Sequence, residues 1–160
     1  MTTFRCVAIA TETADRFRSS GTDDRGNRVR RVVASASDGF PCRHCLQIAR
    51  PGETMLLGSY NLPQPLGIYW APSPIFLHET DCSRHEAINE VAPIVQANPL
   101  VSVRAYDADH QCLYDLGHVC PGDDVGDPLQ RALTDLRTSF VNIHTARPGC
   151  LLSLVERVCD

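Results

Sequence analysis

The segment PCRHCLQIARPGE, residues 41–53, carries a Cys-x2-Cys pair at Cys42 and Cys45. A tight turn between two cysteines so spaced can aim both sulfurs at one point, as the first half of a zinc site requires. The same spacing also serves thiol redox chemistry, and cysteines often fill space as small buried side chains. Further metal-ligand residues elsewhere in the chain favour the zinc site over redox chemistry and over simple packing.

A second pair of ligand residues follows at His78 and Cys82, after 32 intervening residues and in the pattern His-x3-Cys. Three thiolates and one imidazole complete a tetrahedral zinc shell and leave no open position. The pattern therefore predicts a structural zinc that does not activate water. The spacing, with Gly52 and Glu53 before an apolar segment, is similar to the zinc knuckle of treble-clef fingers such as the poly(ADP-ribose) polymerase type.

Two alternatives stay open for the cysteine pair. A redox Cys-x2-Cys usually precedes a helix whose N-terminus lowers the thiol pKa, and the Arg-Pro-Gly at residues 50–52 interrupts the chain too soon for a good helix. Simple packing cysteines are the other alternative. His44 lies between the two cysteines and is expected to be exposed or to support the ligands from outside, whereas His85 is the better substitute ligand.

Composition restricts the class of protein. A chain of 160 residues is expected to form a single domain over residues 1–160, and 43% hydrophobic content is ordinary for a globular protein. The net charge of −4 gives no electrostatic basis for nucleic-acid binding. No run approaches the ~20 apolar residues of a membrane span, and the N-terminus does not have the pattern of a signal peptide. We therefore expect a cytoplasmic protein whose eight cysteines stay reduced.

Hydrophobic patterning predicts an α+β fold with a mainly antiparallel sheet, two or three helices and a zinc-knuckle-like CxxC turn. Helices are predicted over residues 11–21, with Thr11 as the cap, over 83–96, and over 127–137, where Leu129, Leu133 and Leu136 form one buried face. Strands are predicted over residues 4–10, 29–36, 54–60, 68–78, 100–107, 112–120, 140–145 and 151–158.

Further polar residues near the C-terminus suggest a second site. Residues two apart on a strand share a face, so His118 points with Cys120, and Asn142 points with His144. If these strands are neighbours, one face carries a cysteine, a histidine and an asparagine, which is a known catalytic combination. His144, Cys150 and His118 are the candidate catalytic residues, and half-buried strand residues without a catalytic role are the alternative.

The chain as a whole resembles the bacterial family of small proteins called domain of unknown function 1203, of which it looks like a divergent member. The resemblance rests on these segments: residues 24–33 (DRGNRVRRVV), 41–46 (PCRHCL), 52–60, 74–78 (PIFLH), Cys82, 104–108 (RAYDA) and 149–150. It implies a shared fold but no activity, because the family has none established.

Departures from the family pattern concern the end of the chain. The family histidine and arginine correspond to Asn142 and His144, and its second cysteine corresponds to Ser153, while the four zinc-ligand candidates are retained. These departures indicate that the fold is retained and that the residues of a binding pocket have changed.

Three functional hypotheses follow. The first is a zinc-stabilised protein that binds a small molecule or a protein partner. The second is an enzyme acting on a small metabolite in a specialised biosynthetic pathway, and the third is a CxxC thiol redox or sensor protein.

Overall fold

The computed structural model describes residues 1–35 and 39–159. The strands are β1 (Phe4–Val7), β2 (Arg30–Val33), β3 (Thr54–Tyr60), β4 (Ser73–His78), β5 (Val101–Tyr106), β6 (His118–Cys120), β7 (Phe140–Thr145) and β8 (Leu151–Arg157). The helices are α1 (Thr11–Ser20), α2 (Pro93–Gln96) and α3 (Gly126–Thr134). None of the helices in the described ranges has the length and apolar character needed to cross a membrane.

The strands form two antiparallel sheets. The larger has the order β1-β8-β7-β5-β6 and the smaller has the order β2-β3-β4, with every ladder antiparallel. This confirms the predicted α+β class, with two sheets taking the place of one. Of the strand predicted over residues 29–36, the structure has only β2, Arg30–Val33, and residue 36 lies outside the described residues.

Each sheet has its own hydrophobic core. Val103, Ile143 and Leu129 belong to the core that the large sheet forms with α2 and α3. Phe17 of α1 packs with Met55 of β3 in the core of the small sheet. Fully burying one such side chain stabilises the fold by about 1.5–3 kcal/mol.

The Cys-x2-Cys turn lies where these two cores meet. Cys42 is part of the small-sheet core, whereas Leu46 belongs to the large-sheet core, and neither side chain is exposed. Leu46 closes the turn with a positive φ of 55° and donates its N–H to the carbonyl of Cys42 at 2.9 Å. A left-handed leucine costs about 1–2 kcal/mol, which burial of its side chain offsets.

Two of the predicted helices differ from the observed ones. The predicted helix over 83–96 is wrong except for α2, because the preceding segment runs extended beside β1: Ile88 pairs with Arg5, and Asn89 exchanges hydrogen bonds with Phe4. The predicted helix over 127–137 ends at Thr134. Leu136 therefore lies outside α3 and is 96% exposed, contrary to its expected place on the buried face.

Candidate metal centre

Backbone hydrogen bonds hold the Cys-x2-Cys turn against the small sheet. The N–H of Cys42 donates to Gln47 at 3.0 Å, and the N–H of Arg43 donates to the carbonyl of Phe76 in β4 at 3.0 Å. Residues 46–53 are not helical, as the Arg-Pro-Gly sequence predicted. The turn therefore orients its two sulfurs towards the end of β4.

The distal pair comes from the end of β4 and the segment after it. His78 is the last residue of β4, where it pairs with Met55, and its N–H lies 3.4 Å from Sγ of Cys42. Cys82 follows four positions later, outside regular secondary structure. The end of β4 thus brings the second pair of predicted ligands to the first.

The four predicted ligand residues converge on one point. One ligand atom from each of them lies within 4.8 Å of the others, and the four residues are Cys42, Cys45, His78 and Cys82. Sγ of Cys42 and Sγ of Cys82 are 3.9 Å apart, and Sγ of Cys45 is 3.5 Å from Nδ1 of His78. This cluster, hereafter the Cys3His cluster, could hold a metal ion.

A carboxylate orients the imidazole of the cluster. Nε2 of His78 lies 3.1 Å from Oε2 of Glu53, so the tautomer that donates Nε2–H to Glu53 leaves the Nδ1 lone pair directed at the cluster. The backbone N–H of Arg50 at 2.6 Å, followed by His78, lowers the pKa of Glu53. Histidine ligands of metal ions commonly carry such a carboxylate on the second nitrogen.

Two donors converge on the sulfur of Cys82. Nη2 of Arg18 lies 3.4 Å from Sγ of Cys82, and Nδ1 of His44 lies 3.2 Å from it. The tautomer of His44 that donates Nδ1–H to Cys82 accepts the hydroxyl proton of Thr11 at Nε2, over 2.9 Å. Both contacts favour a thiolate at Cys82, whereas burial, followed by the charge of Cys42, raises the pKa of its thiol.

Of two expectations about these supporting residues, one is confirmed and one is wrong. His44 was expected to be exposed or to support the ligands from outside; it is buried, at 1% exposure, and it supports Cys82. Its pKa is lowered by burial and then by the charge of Arg18. Thr11 was expected to cap α1, but its side chain makes no capping bond and faces His44 instead.

The two cysteines of the turn differ in acidity. The hydrogen bond from Cys45 lowers the pKa of Cys42 to about 4 and outweighs burial, which raises it. The same hydrogen bond, together with burial, raises the pKa of Cys45. Without an ion, one proton retained between the two sulfurs thus avoids the repulsion between two neighbouring thiolates.

A cavity of ≈ 630 Å³ adjoins the cluster. Its wall includes Cys45, His78 and Cys82, whereas Cys42 lies behind them. His85, the predicted substitute ligand, is not a member of the Cys3His cluster but lines this cavity, and its Nε2 is buried without a hydrogen-bond partner in the described structure.

The second site predicted from the sequence does not assemble on one face of the sheet. Strand β5 lies between β6 and β7, and Val103 pairs with His118 on one side and with Ile143 on the other. Paired residues share a face and neighbours along a strand alternate. The predicted shared face is therefore wrong, because His118 and Cys120 point to the side opposite Asn142 and His144.

His144 and Cys150 flank the turn between β7 and β8. Nδ1–H of buried His144 donates to the carbonyl of Gly149 at 2.9 Å, and the N–H of Cys150 donates to Oγ1 of Thr145 at 2.9 Å. Burial, and after it the charge of Arg104, lowers the pKa of His144 to about 4. A catalytic role for His144, Cys150 or the exposed His118 stays a prediction.

A buried recess whose wall contains several polar side chains was missed by the sequence analysis. It has a volume of ≈ 40 Å³, and its wall includes Arg43, Asn142, Ser153 and Tyr60. Arg43 lies inside the Cys-x2-Cys motif, but the spacing of metal ligands gives no signal for an arginine. Asn142 and Ser153, by contrast, are two of the positions at which the sequence departs from the resembled family pattern.

Comparison with known proteins identifies the family. Residues 39–157 match the family model described as "Protein of unknown function (DUF1203)". The chain belongs to the DUF1203 family. No curated protein and no solved structure matches the chain. The DUF1203 match contains all four residues of the Cys3His cluster as well as Glu53, whereas Arg18 of α1 lies before the matched segment.

Proposed function

We propose that this DUF1203 protein is a zinc-stabilised domain that binds a small molecule. The observation that carries the zinc assignment is the geometry of the Cys3His cluster. With Zn–S bonds of about 2.3 Å and a Zn–N bond of about 2.0 Å, a regular tetrahedron has S···S edges of about 3.8 Å and S···N edges of about 3.5 Å. The corresponding separations are 3.9 Å between Cys42 and Cys82 and 3.5 Å between Cys45 and His78.

Zinc in this cluster is structural. Four protein ligands fill the tetrahedron, so the ion polarises no substrate and activates no water. The ion would connect the Cys-x2-Cys turn to the end of β4 and to Cys82, which lies in a segment without regular secondary structure. Three thiolates and a divalent ion leave one negative charge, and the guanidinium of Arg18 offsets it.

The burial of Cys42 argues against a redox function for the pair. The side chain of Cys42, whose thiol is the more acidic of the two, is fully buried and cannot meet a protein disulfide. The turn also lacks a following helix whose N-terminus would stabilise an attacking thiolate. Both features favour a ligand role over a redox role.

Cavity size supports binding of a small molecule. The cavity beside the cluster, at ≈ 630 Å³, lies within the range of about 300–1,000 Å³ typical of ligand pockets. None of the eight cysteines, all of which lie among the described residues, forms a disulfide, which supports the proposed cytoplasmic location, where thiols remain reduced. No step of this proposal requires catalysis.

A second candidate function is an enzyme that acts on a small metabolite. It is favoured by a cavity of ≈ 430 Å³ whose lining residues include both Arg43 and Cys150. Cys150 would be the nucleophile there. Alkylation by iodoacetamide that is faster at Cys150 than at partly buried Cys112 would support this candidate; equal rates would count against it.

Elemental analysis of the purified protein tests the zinc assignment. We expect one zinc per chain and loss of the cooperative unfolding transition when a chelator removes it. A metal-free protein that is folded and as stable as the metal-loaded protein would overturn the assignment. Retention of iron in preference to zinc would likewise reject zinc as the resident ion.

A further inference from the structure

Two buried polar side chains in the recess between the sheets, Asn142 and Arg43, each retain one atom without a hydrogen-bond partner in the described structure. Asn142 is fully buried, and its Oδ1 has no partner in the described structure. Its Nδ2 donates to the carbonyl of Gln64 at 3.1 Å, and this bond determines which way the amide is turned. Leaving a buried acceptor unpaired costs about 1–3 kcal/mol, so an orphaned Oδ1 indicates that a donor belongs beside it.

Arg43 supplies the second group. Its side chain is 3% exposed, and it donates from Nε to the carbonyl of Leu151 at 2.7 Å and from Nη1 to the carbonyl of Pro41 at 2.6 Å. Nη2 makes no hydrogen bond with residues 1–35 or 39–159, and no carboxylate in those ranges forms an ion pair with this guanidinium. A buried cation with free N–H groups favours an anionic acceptor.

Both groups line the same recess, and the rest of its wall is largely apolar. Leu151, Leu152 and Leu154 of β8 line it, together with Tyr60 at the end of β3 and Gln64 in the loop that follows. A volume of ≈ 40 Å³ holds about three water-sized groups. The recess therefore has room for the polar head of a ligand but not for a large molecule.

We infer that this recess binds the head group of a small 2-hydroxy or 2-amino carboxylate. The carboxylate accepts from Nη2 of Arg43, and the neighbouring hydroxyl or ammonium donates to Oδ1 of Asn142. An acid without the second group leaves Oδ1 unpaired, and an alcohol without the carboxylate leaves Nη2 of Arg43 without an acceptor. This recess is separate from the cavity of ≈ 630 Å³ beside the Cys3His cluster. The inference therefore adds a second binding location, with its own ligand class, to the small-molecule half of the proposed function, and its failure leaves the larger cavity standing.

Titration of the zinc-loaded, 15N-labelled full chain tests the inference, with glycolate as the probe and with acetate and ethylene glycol as comparison ligands. We expect glycolate to shift the Asn142 side-chain amide and the Arg43 Nε–H resonances. Its affinity should exceed that of acetate by about tenfold, the effect of one buried hydrogen bond. Equal affinity of glycolate and acetate, or no shift with any of the three, would overturn the inference and leave a recess filled by water.

Variants add a check that separates the recess from the metal. Asn142→Leu fills the recess and should abolish the glycolate shifts, whereas Gln96→Leu makes a comparable change at an exposed position of α2 and should retain them. Zinc content is measured on each sample. If a variant loses glycolate binding but retains zinc, the change has affected the recess and not the metal site. If the wild-type chain contains no zinc, the metal half of the proposed function is refuted, and the glycolate titration still tests the recess. The comparison of glycolate with acetate on the wild-type chain decides the inference even if Asn142→Leu does not fold.

Discussion

The guanidinium Nη2 of Arg18 lies 3.4 Å from Sγ of Cys82, so helix α1 presents a cation to the Cys3His cluster. The same side chain donates from Nε to the carbonyl of His78 at 3.0 Å. One arginine from the N-terminal helix therefore contacts both residues of the distal ligand pair. The position of α1 and the geometry of the cluster depend on each other.

Replacing Arg18 should weaken the cluster. Arg18→Met retains the apolar stem but removes both hydrogen bonds, and we expect the free energy of unfolding to fall by about 1.5–3 kcal/mol, the range for a hydrogen bond to a charged group. Thermal and urea unfolding measure this. Arg16→Met is the matched control on the same helix, because the side chain of Arg16 is 48% exposed and that of Arg18 only 10%. An equal effect of both substitutions would contradict the assigned role of Arg18.

Glu53 is predicted to tune the metal affinity through His78. Glu53→Gln removes the negative charge beside Nε2, so the zinc affinity should fall by about 10–100-fold. Competition with a chromophoric chelator measures this change. Glu156→Gln is the control, because Glu156 pairs with Arg5 on β1 and should leave the affinity unchanged.

Loss of one ligand should remove both the ion and the fold. Structural zinc contributes about 10–16 kcal/mol of apparent binding energy, comparable with the whole stability of a small domain. Cys42→Ser should therefore contain no stoichiometric zinc and show no cooperative unfolding transition by circular dichroism. Cys112→Ser, outside the cluster, should retain one zinc per chain. A folded, zinc-loaded Cys42→Ser protein would be incompatible with the proposed site.

His144 should make the stability depend on pH. Burial and the charge of Arg104 lower its pKa from 6.5 to about 4 in the folded state, so the unfolded chain binds more protons between these values. The stability is complete above pH about 6.5 and falls by up to about 3 kcal/mol as the pH drops towards 4. His144→Asn should reduce this slope while acid effects elsewhere persist. Parallel pH profiles of the two proteins, measured by urea unfolding, would refute the prediction.

Gly122 tolerates no side chain. A methyl group there would lie 1.9 Å from the carbonyl oxygen of Val95 and 2.7 Å from that of Asn98. Gly122→Ala should therefore destabilise the protein by about 3 kcal/mol or more, because two backbone segments must move apart. At Gly126 a methyl group would meet nothing within 4 Å, so Gly126→Ala at the start of α3 should leave the melting temperature nearly unchanged.

Much of the fold could be predicted locally. The apolar centre of residues 54–60 predicted β3 to the residue, and Gly21 closes α1 in the left-handed conformation that glycine favours. The failures came from long-range contacts. Residues 83–92 have helical character, yet pairing of Ile88 with Arg5 holds the segment extended.

The candidate site likewise has residues that local sequence predicts and residues that only long-range contacts bring together. Cysteine and histidine spacing predicted the four members of the cluster, because ligand chemistry limits which residue types can serve and turn geometry limits their separation. The contributions of Glu53, Arg18 and His44 carry no sequence signal, since each depends on where a distant element places it.

The sequence by itself determined the antiparallel α+β class and the identity of the cluster residues, because both follow from local periodicity and from the coordination preferences of thiolate and imidazole. Only the tertiary structure decided that two sheets form, that His118 and His144 face opposite sides, and that Arg43 and Asn142 line one recess. Strand order and register place these side chains, and the free energies that select an order come from contacts between residues far apart in the chain.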